Sequence, residues 1–158
     1  MSNDRVLTGA AGEHFIAFQL AARGYAVGLT TRGTRTVDLV VANPETGKSI
    51  SIDTKTMRNA YEKSGTESWY KWRMGVSAYK KPIHKDFYYI LVDLKDNPKI
   101  MPEVFIVPSI ELQSLLEPYP KGANPKKDKI TDVWCVICSG DVKKYFDKWD
   151  VIEAALSS

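Results

Sequence analysis

The sequence has few of the features that mark several protein classes. Its 158 residues include two cysteines, too few for a secreted disulfide framework, so a reducing cytoplasm is the expected compartment. No apolar run approaches the roughly 18 to 20 residues that cross a bilayer. The polar start Met-Ser-Asn-Asp-Arg is unlike a signal peptide, and we therefore expect no membrane partner. Glycine-rich phosphate loops of the G-x-G-x-x-G and Walker types are also absent, which leaves nucleotide-cofactor chemistry without support.

The two cysteines form a single Cys135-Val-Ile-Cys138 motif. A zinc site needs a second pair of ligands, and neither His14 nor His84 stands at a suitable spacing. We expect both cysteines to pack in a strand as small apolar residues.

The chain has enough apolar residues for a core of its own. Hydrophobic residues make up 44% and charged residues 26% of the sequence, as in ordinary globular proteins. The length fits one domain spanning residues 1–158. Periodicity and turn residues predict helix 9–23 with Thr8 as N-cap and Gly24 after its end, strands 25–30, 35–42 and 49–55, helix plus loop over 56–85, strands 87–94 and 104–107, helix 108–116, a loop over 117–131, strand 133–138 and helix 141–156.

Charge is distributed unevenly along the chain. The formal net charge is only +3, well below that of most electrostatic nucleic-acid binders. Residues 55–85, however, hold eight basic side chains, two acidic ones and five aromatic ones. Such a mixture suits a phosphate backbone whose bases stack nearby; the alternative is a solvated helix with its aromatic side chains in the core. The candidate nucleic-acid contacts are Arg58, Lys71, Arg73, Lys80 and Lys81.

Glu13 is unusual for its place in the first helix. It shares a helix face with Ile16, Ala17 and Leu20, and a charge beside a core-facing stripe is costly unless it is paired or binds a cation. The alternative is an acid near a helix N-terminus, favoured by the helix dipole.

Asp38 and Asp53 lie on two strands that we expect to form an antiparallel hairpin. Asp38 interrupts a β-rich run, where aspartate is uncommon; taken alone, it also suits a bulge or an edge strand. If the turn centres near residues 45 and 46, opposed residues have numbers that sum to about 91, which pairs Asp38 with Asp53. This pairing depends on register, because a bulge at Gly47 would shift it. Lys55 follows Asp53 by two residues and lies on the same face of its strand.

Two opposed carboxylates beside a lysine suggest phosphodiester chemistry. Such carboxylates repel each other unless a cation lies between them, and Mg²⁺ prefers hard oxygen ligands. The ion would polarise a phosphoryl oxygen and lower the pKa of a bound water. Lys55 would orient or deprotonate that water, or neutralise charge on the phosphate.

These residues together resemble the PD-(D/E)XK nuclease superfamily, which includes restriction endonucleases and archaeal Holliday junction resolvases. The resemblance covers residues 9–55, through Gly12-Glu13, Arg23-Gly24-Tyr25, Val37-Asp38-Leu39 and Asp53-x-Lys55. It implies an α/β fold with a restriction endonuclease-like α-β-β-β-α-β core, a mixed sheet flanked by helices.

The resemblance also implies Mg²⁺-dependent phosphodiester hydrolysis, with Mn²⁺ able to substitute. It implies Asp38 and Asp53 as metal ligands, Lys55 as the catalytic lysine and Glu13 as an accessory acid at the metal. The chain has Val37 where the motif has proline, and Asp53 where glutamate is more usual.

The expected function is therefore that of a metal-dependent endonuclease acting on nucleic acid, DNA before RNA. A homodimer is expected only by analogy with enzymes that cut two strands. Two alternatives remain open: a non-catalytic nucleic-acid-binding or assembly module that keeps the nuclease fold, and a protein-interaction domain that uses the aromatic residues of 61–79.

Overall fold

The computed structural model describes residues 2–31, 37–81 and 83–157, and it has an α/β fold with two β-sheets. No helix in these ranges is long and apolar enough to cross a membrane. The elements, in chain order, are α1 (Ser2–Ala22), β1 (Ala26–Leu29), β2 (Leu39–Ala42), β3 (Ser49–Met57), β4 (Tyr61–Ser64), β5 (Glu67–Arg73), a 3₁₀ helix (Val76–Lys80), β6 (Phe87–Asp93), β7 (Glu103–Pro108), α2 (Ser109–Leu112), a 3₁₀ helix (Gln113–Leu115), β8 (Leu116–Tyr119), β9 (Asp132–Cys138), a 3₁₀ helix (Ser139–Asp141), α3 (Val142–Tyr145) and α4 (Trp149–Ser157).

The first sheet is mixed and has the strand order β1-β2-β3-β6-β7. Strands β3 and β6 run parallel, and the other neighbours are antiparallel. All seven residues of β6 are buried, as its continuous apolar run predicts. The mixed α/β sheet expected from the sequence is confirmed.

The register of the β2–β3 hairpin is the predicted one. Leu39 pairs with Ile52 and Val41 with Ile50, so that paired numbers sum to 91. Gly47 has a φ of 72°, which a glycine adopts without strain, and the turn closes without shifting the pairing. Strand β2 begins at Leu39, and residues 35 and 36 of the predicted strand lie outside the described ranges.

The two longer helices, α1 and α4, cover one face of the first sheet. Ile16 and Leu20 of α1, with Ile152 and Leu156 of α4, pack on that face in one buried cluster. The opposite face is covered by the second sheet, which has the order β4-β5-β9-β8. Trp72 of β5 is fully buried between the two sheets. The short helices α2 and α3 also pack on this second face, so the expected flanking helices are present, with the second sheet added on one side.

The prediction of a helix plus loop over 56–85 is also wrong. Strand β3 continues to Met57, β4 and β5 form a hairpin, and only the 3₁₀ helix follows. The described residues between β3 and β6 thus contain no α-helix of the predicted core. Gly65, with a φ of 60°, allows the tight turn, and β5 alternates Tyr70 and Trp72 inward with Lys71 outward. Aromatic side chains on both faces obscure this period of two in the sequence.

Helix α1 begins earlier than predicted. It starts at Ser2, so that Thr8 lies within the helix and is not its N-cap. Its end is the predicted one: Gly24 has a φ of 91°, and Tyr25 N–H donates to the Leu20 carbonyl at 3.2 Å. This is the Schellman pattern of a glycine-terminated helix.

Towards the C-terminus, two predictions need correction. Strand β8 occupies the beginning of the predicted 117–131 loop, and the predicted helix 141–156 is divided into α3 and α4. The division falls at Asp147, whose φ of 53° is incompatible with a continuous right-handed helix. The predicted strands 25–30, 87–94, 104–107 and 133–138 and the short helix 108–116 are confirmed within a few residues.

Candidate active site

Strand β3 places Asp53 and Lys55 on the face of the first sheet that meets the second sheet. Ile50 and Ile52 pack with α1 on the other face. Asp53 lies beside Tyr89 of β6, which belongs to the cluster between the two sheets. The Asp53 side chain is 3% exposed and that of Lys55 28%. The Asp-x-Lys motif therefore holds a buried carboxylate next to a partly accessible ammonium group.

The Asp53 carboxylate accepts a hydrogen bond from a lysine on each of its two oxygens. Lys55 Nζ lies 2.7 Å from Oδ1, and Lys81 Nζ donates to Oδ2. Lys81 follows the 3₁₀ helix Val76–Lys80, and its side chain is only 10% exposed. Two cations thus stabilise a carboxylate whose burial alone would be costly.

Tyr89 completes the surroundings of Asp53. Lys81 Nζ lies 5.4 Å from the centre of the Tyr89 ring, within the range of a cation–π contact. The Tyr89 hydroxyl is buried and has no hydrogen-bond partner in the described part of the chain. Burial and, secondarily, the negative charge of Asp53 raise the pKa of Tyr89 above its usual value, so the phenol stays protonated.

Asp38 lies at the end of the β2–β3 ladder and contacts the Asp-x-Lys motif through its side chain. Its N–H donates to the Ile52 carbonyl at 2.8 Å. Ile52 is already the partner of Leu39, so the pairing is shifted by one residue at Asp38. Its Oδ2 accepts from Thr54 N–H at 2.7 Å and from Thr54 Oγ1 at 3.1 Å. The predicted pairing of Asp38 with Asp53 is therefore wrong: the ladder ends at the Leu39–Ile52 pair, and the Asp38 side chain contacts Thr54, the residue between Asp53 and Lys55.

Glu13 lies on the other side of β3. It is half-buried on α1, and the neighbouring Gly12 packs directly against the Thr56 side chain. Among the residues that the structure describes, no three Asp, Glu, His or Cys side chains meet closely enough to hold one ion. Glu13, Asp38 and Asp53 are therefore not gathered into one three-carboxylate cluster.

The candidate nucleic-acid contacts are mostly engaged in ion pairs. Lys71 Nζ lies 3.0 Å from Glu62, and Lys81 binds Asp53. Lys80, in contrast, is exposed. The remaining two form pairs at 2.5 Å, Arg58 with Asp4 and Arg73 with Asp132.

The aromatic residues of this segment belong largely to the protein interior. Trp72 is fully buried and donates from Nε1 to the Val92 carbonyl at 2.9 Å. Tyr70 packs against the cluster between the sheets, and its hydroxyl donates to Glu103 at 2.8 Å. For these two side chains the core interpretation is confirmed.

A cleft of about 570 Å³ opens at the C-terminal end of β3. Thr56, Met57 and Arg58 contribute one wall, and α1 and β5 contribute the others. Its basic lining consists of Arg5, Arg58 and Arg73, with Trp134 as an aromatic wall. Arg5 carried no sequence motif and was missed, since only the fold brings the start of α1 to the end of β3.

The Cys135-x-x-Cys138 pair does not form a disulfide. Cys135 is fully buried, and its burial raises the pKa of the thiol to about 12. Cys138 is exposed.

Comparison of the chain with family models, with curated proteins and with solved structures gives no match in any of the three. The candidate site must therefore be interpreted from its own chemistry.

Proposed function

We propose that the chain is a metal-dependent nuclease of the PD-(D/E)XK type that hydrolyses phosphodiester bonds of nucleic acid, DNA before RNA. The observation that carries this proposal is the contact of Asp38 with Thr54, the residue between Asp53 and Lys55. Asp38, directly before β2, thereby adjoins the Asp-x-Lys residues of β3, whose lysine ammonium lies 2.7 Å from the buried Asp53 carboxylate.

The order of the strands supports the same proposal. A long helix, three antiparallel strands and a parallel fourth strand, α1-β1-β2-β3-β6, follow the α-β-β-β-(α)-β order of the superfamily. The β4–β5 hairpin and the 3₁₀ helix take the place of the second helix. We propose that this hairpin is an elaboration of the nuclease core.

The donor set fits a divalent ion. Mg²⁺ is commonly bound through one or two carboxylates and several waters, and Asp38, directly before β2, and Asp53 of β3 supply two carboxylates. These two residues would hold the ion, without Glu13, which lies on the other side of β3. When bound, the metal would polarise a phosphoryl oxygen and lower the pKa of a water molecule.

Lys55 would stabilise the negative charge that develops on the phosphate during cleavage. Its side chain is partly exposed, and its ammonium group is oriented by Asp53. A fixed cation next to the scissile phosphate stabilises negative charge that develops on the phosphoryl oxygens. The cleft lined by Arg5, Arg58 and Arg73 offers a path for the flanking phosphates.

A second candidate is a non-catalytic nucleic-acid-binding or assembly module with the same fold. Lys55 and Lys81 already neutralise both oxygens of Asp53, and such a site is stable without a metal.

Cleavage assays on plasmid, single-stranded and branched DNA, and on RNA, separate the two candidates. The nuclease proposal predicts products with Mg²⁺ or Mn²⁺ and none with EDTA, and Asp38→Asn should abolish them. DNA binding without cleavage of any substrate in either metal would support the non-catalytic module instead.

A further inference from the structure

Lys81 occupies a position in the candidate site that the Asp, Asp-x-Lys motif does not provide for. It stands 28 residues after Asp53 in the chain, yet its ammonium group binds the Asp53 Oδ2 oxygen. Its side chain is buried nearly as well as the carboxylate that it contacts, with exposures of 10% and 3%. An ordinary surface lysine does not have this environment.

The local structure fixes where Lys81 lies. The preceding 3₁₀ helix is anchored by Ala78, which is buried in the cluster between the sheets, and Lys81 N–H donates to the Ala78 carbonyl at 3.4 Å. Gln113 Nε2 donates to the Tyr79 carbonyl from outside at 3.3 Å. The packed 3₁₀ helix therefore holds Lys81 next to Asp53, and the ring of Tyr89 lies beside the Lys81 ammonium group.

The charges around Asp53 are balanced without a metal. Asp38 and Asp53 contribute two negative charges, and Lys55 and Lys81 contribute two positive ones. A divalent ion on Asp53 would add two positive charges beside two ammonium groups, and this repulsion is strong at a buried site. Lys55 is part of the motif and is the more exposed of the two lysines, so Lys81 is the cation that must leave.

We propose that Lys81 is a resident counter-ion of Asp53 that a divalent metal must displace, and that it thereby sets the metal affinity of the site. This inference rests on the proposed function, because it requires a metal to bind at Asp53. Lys81 acts here as a positioning residue: its ammonium group holds the Asp53 carboxylate in place until the metal binds.

Calorimetric titration with Mn²⁺ tests the proposal on four proteins: wild type, Lys81→Met, Lys85→Met and Asp53→Asn. Removing the competing charge should tighten Mn²⁺ binding by roughly 10- to 100-fold, the usual scale of effects from groups around metal ligands. Lys85→Met is the matched control, because Lys85 is an exposed lysine outside the site, and this variant should bind Mn²⁺ as wild type does. Asp53→Asn should lose the site.

The outcomes separate the two proposals. If wild type binds Mn²⁺ and Lys81→Met binds it equally or more weakly, the role of Lys81 is overturned while the nuclease proposal stands. If neither wild type nor Lys81→Met binds Mn²⁺ at millimolar concentration, both proposals are overturned. A loss of DNA affinity in Lys81→Met with unchanged Mn²⁺ affinity would show that Lys81 is a phosphate contact instead.

Thermal unfolding gives a readout that does not depend on activity. In EDTA, Lys81→Met should lower Tm on the order of 5 °C, because a buried carboxylate loses one partner. Saturating Mn²⁺ should then raise its Tm by more than it raises that of wild type. Lys81→Gln, which retains a hydrogen-bond donor, serves as the second variant if Lys81→Met does not fold. An equal Mn²⁺-induced shift in the variant and wild type would contradict the proposal.

Discussion

Gly12 of α1 lies directly against the side chain of Thr56 in β3. A Cβ atom built on Gly12 would overlap Thr56 Oγ1. The absence of a side chain at position 12 is therefore what allows the helix to approach the strand that carries Asp53 and Lys55.

Gly12→Ala should destabilise the protein by about 1–3 kcal/mol, the usual cost of overpacking, which lowers Tm by about 3–10 °C. Gly9→Ala is the control: it lies in the same helix with nothing within 4 Å of its Cβ position, and should be neutral or stabilising by up to about 1 kcal/mol. Equal Tm values for the two variants would contradict the close approach of α1 to β3.

Asp38 has an observed contact with Thr54 and a proposed role as a metal ligand, and substitutions can separate the two. Asp38→Ala leaves the Thr54 N–H without its acceptor. The free energy of unfolding, measured by urea denaturation, should fall by about 1–3 kcal/mol. Asp38→Asn keeps an oxygen acceptor and should retain most of the stability. Both variants should lose cleavage, because neither supplies a carboxylate. Cleavage by Asp38→Asn at the wild-type rate would remove Asp38 from the metal site.

Trp72 joins the two sheets through its hydrogen bond to the Val92 carbonyl. Trp72→Phe should lower the free energy of unfolding by about 1–3 kcal/mol, since a buried carbonyl is left without its donor. Trp69→Phe is the control, because Trp69 donates to the partly exposed Glu62. Equal urea midpoints for the two variants would argue against a buried junction between the sheets at Trp72.

The two cysteines should differ in reactivity. Cys135 is buried and the pKa of its thiol is raised to about 12, so at pH 8 it is protonated and does not react as a thiolate. Iodoacetamide should add one carbamidomethyl group to the native protein, at Cys138, and two in denaturant, as measured by mass spectrometry. Two adducts on the native protein would contradict the buried position of β9.

The parts of the fold with a clear local pattern were predictable from sequence. The β2–β3 register followed from the position of a short turn, and Gly24 marked the end of α1. The β4–β5 hairpin was not predictable in this way, because Trp69 and Trp72 lie on opposite faces of β5 and remove the alternation that identifies a half-buried strand. Tertiary packing between two sheets decides the conformation of this segment.

In the candidate site, too, some residues were predictable from the sequence and others were not. Asp38, Asp53 and Lys55 were identifiable because residue spacing places them on a hairpin. The contact of Lys81 with Asp53 was not, since it depends on the path of the chain through the β4–β5 hairpin and the 3₁₀ helix. The pairing of Arg58 with Asp4 and of Arg73 with Asp132 is also long-range, and a count of charges along the sequence does not reveal it.

If Asp53 and Lys55 form the proposed phosphodiesterase site, the rate of plasmid cleavage in Mg²⁺ depends on both side chains. Asp53→Asn and Lys55→Met should each reduce the rate by at least about 100-fold, while Lys85→Met, an exposed lysine outside the site, should cleave as wild type does. Circular dichroism on the same samples establishes that the variants are folded. Wild-type cleavage rates in folded Asp53→Asn or Lys55→Met, or cleavage that persists in EDTA, would contradict the account.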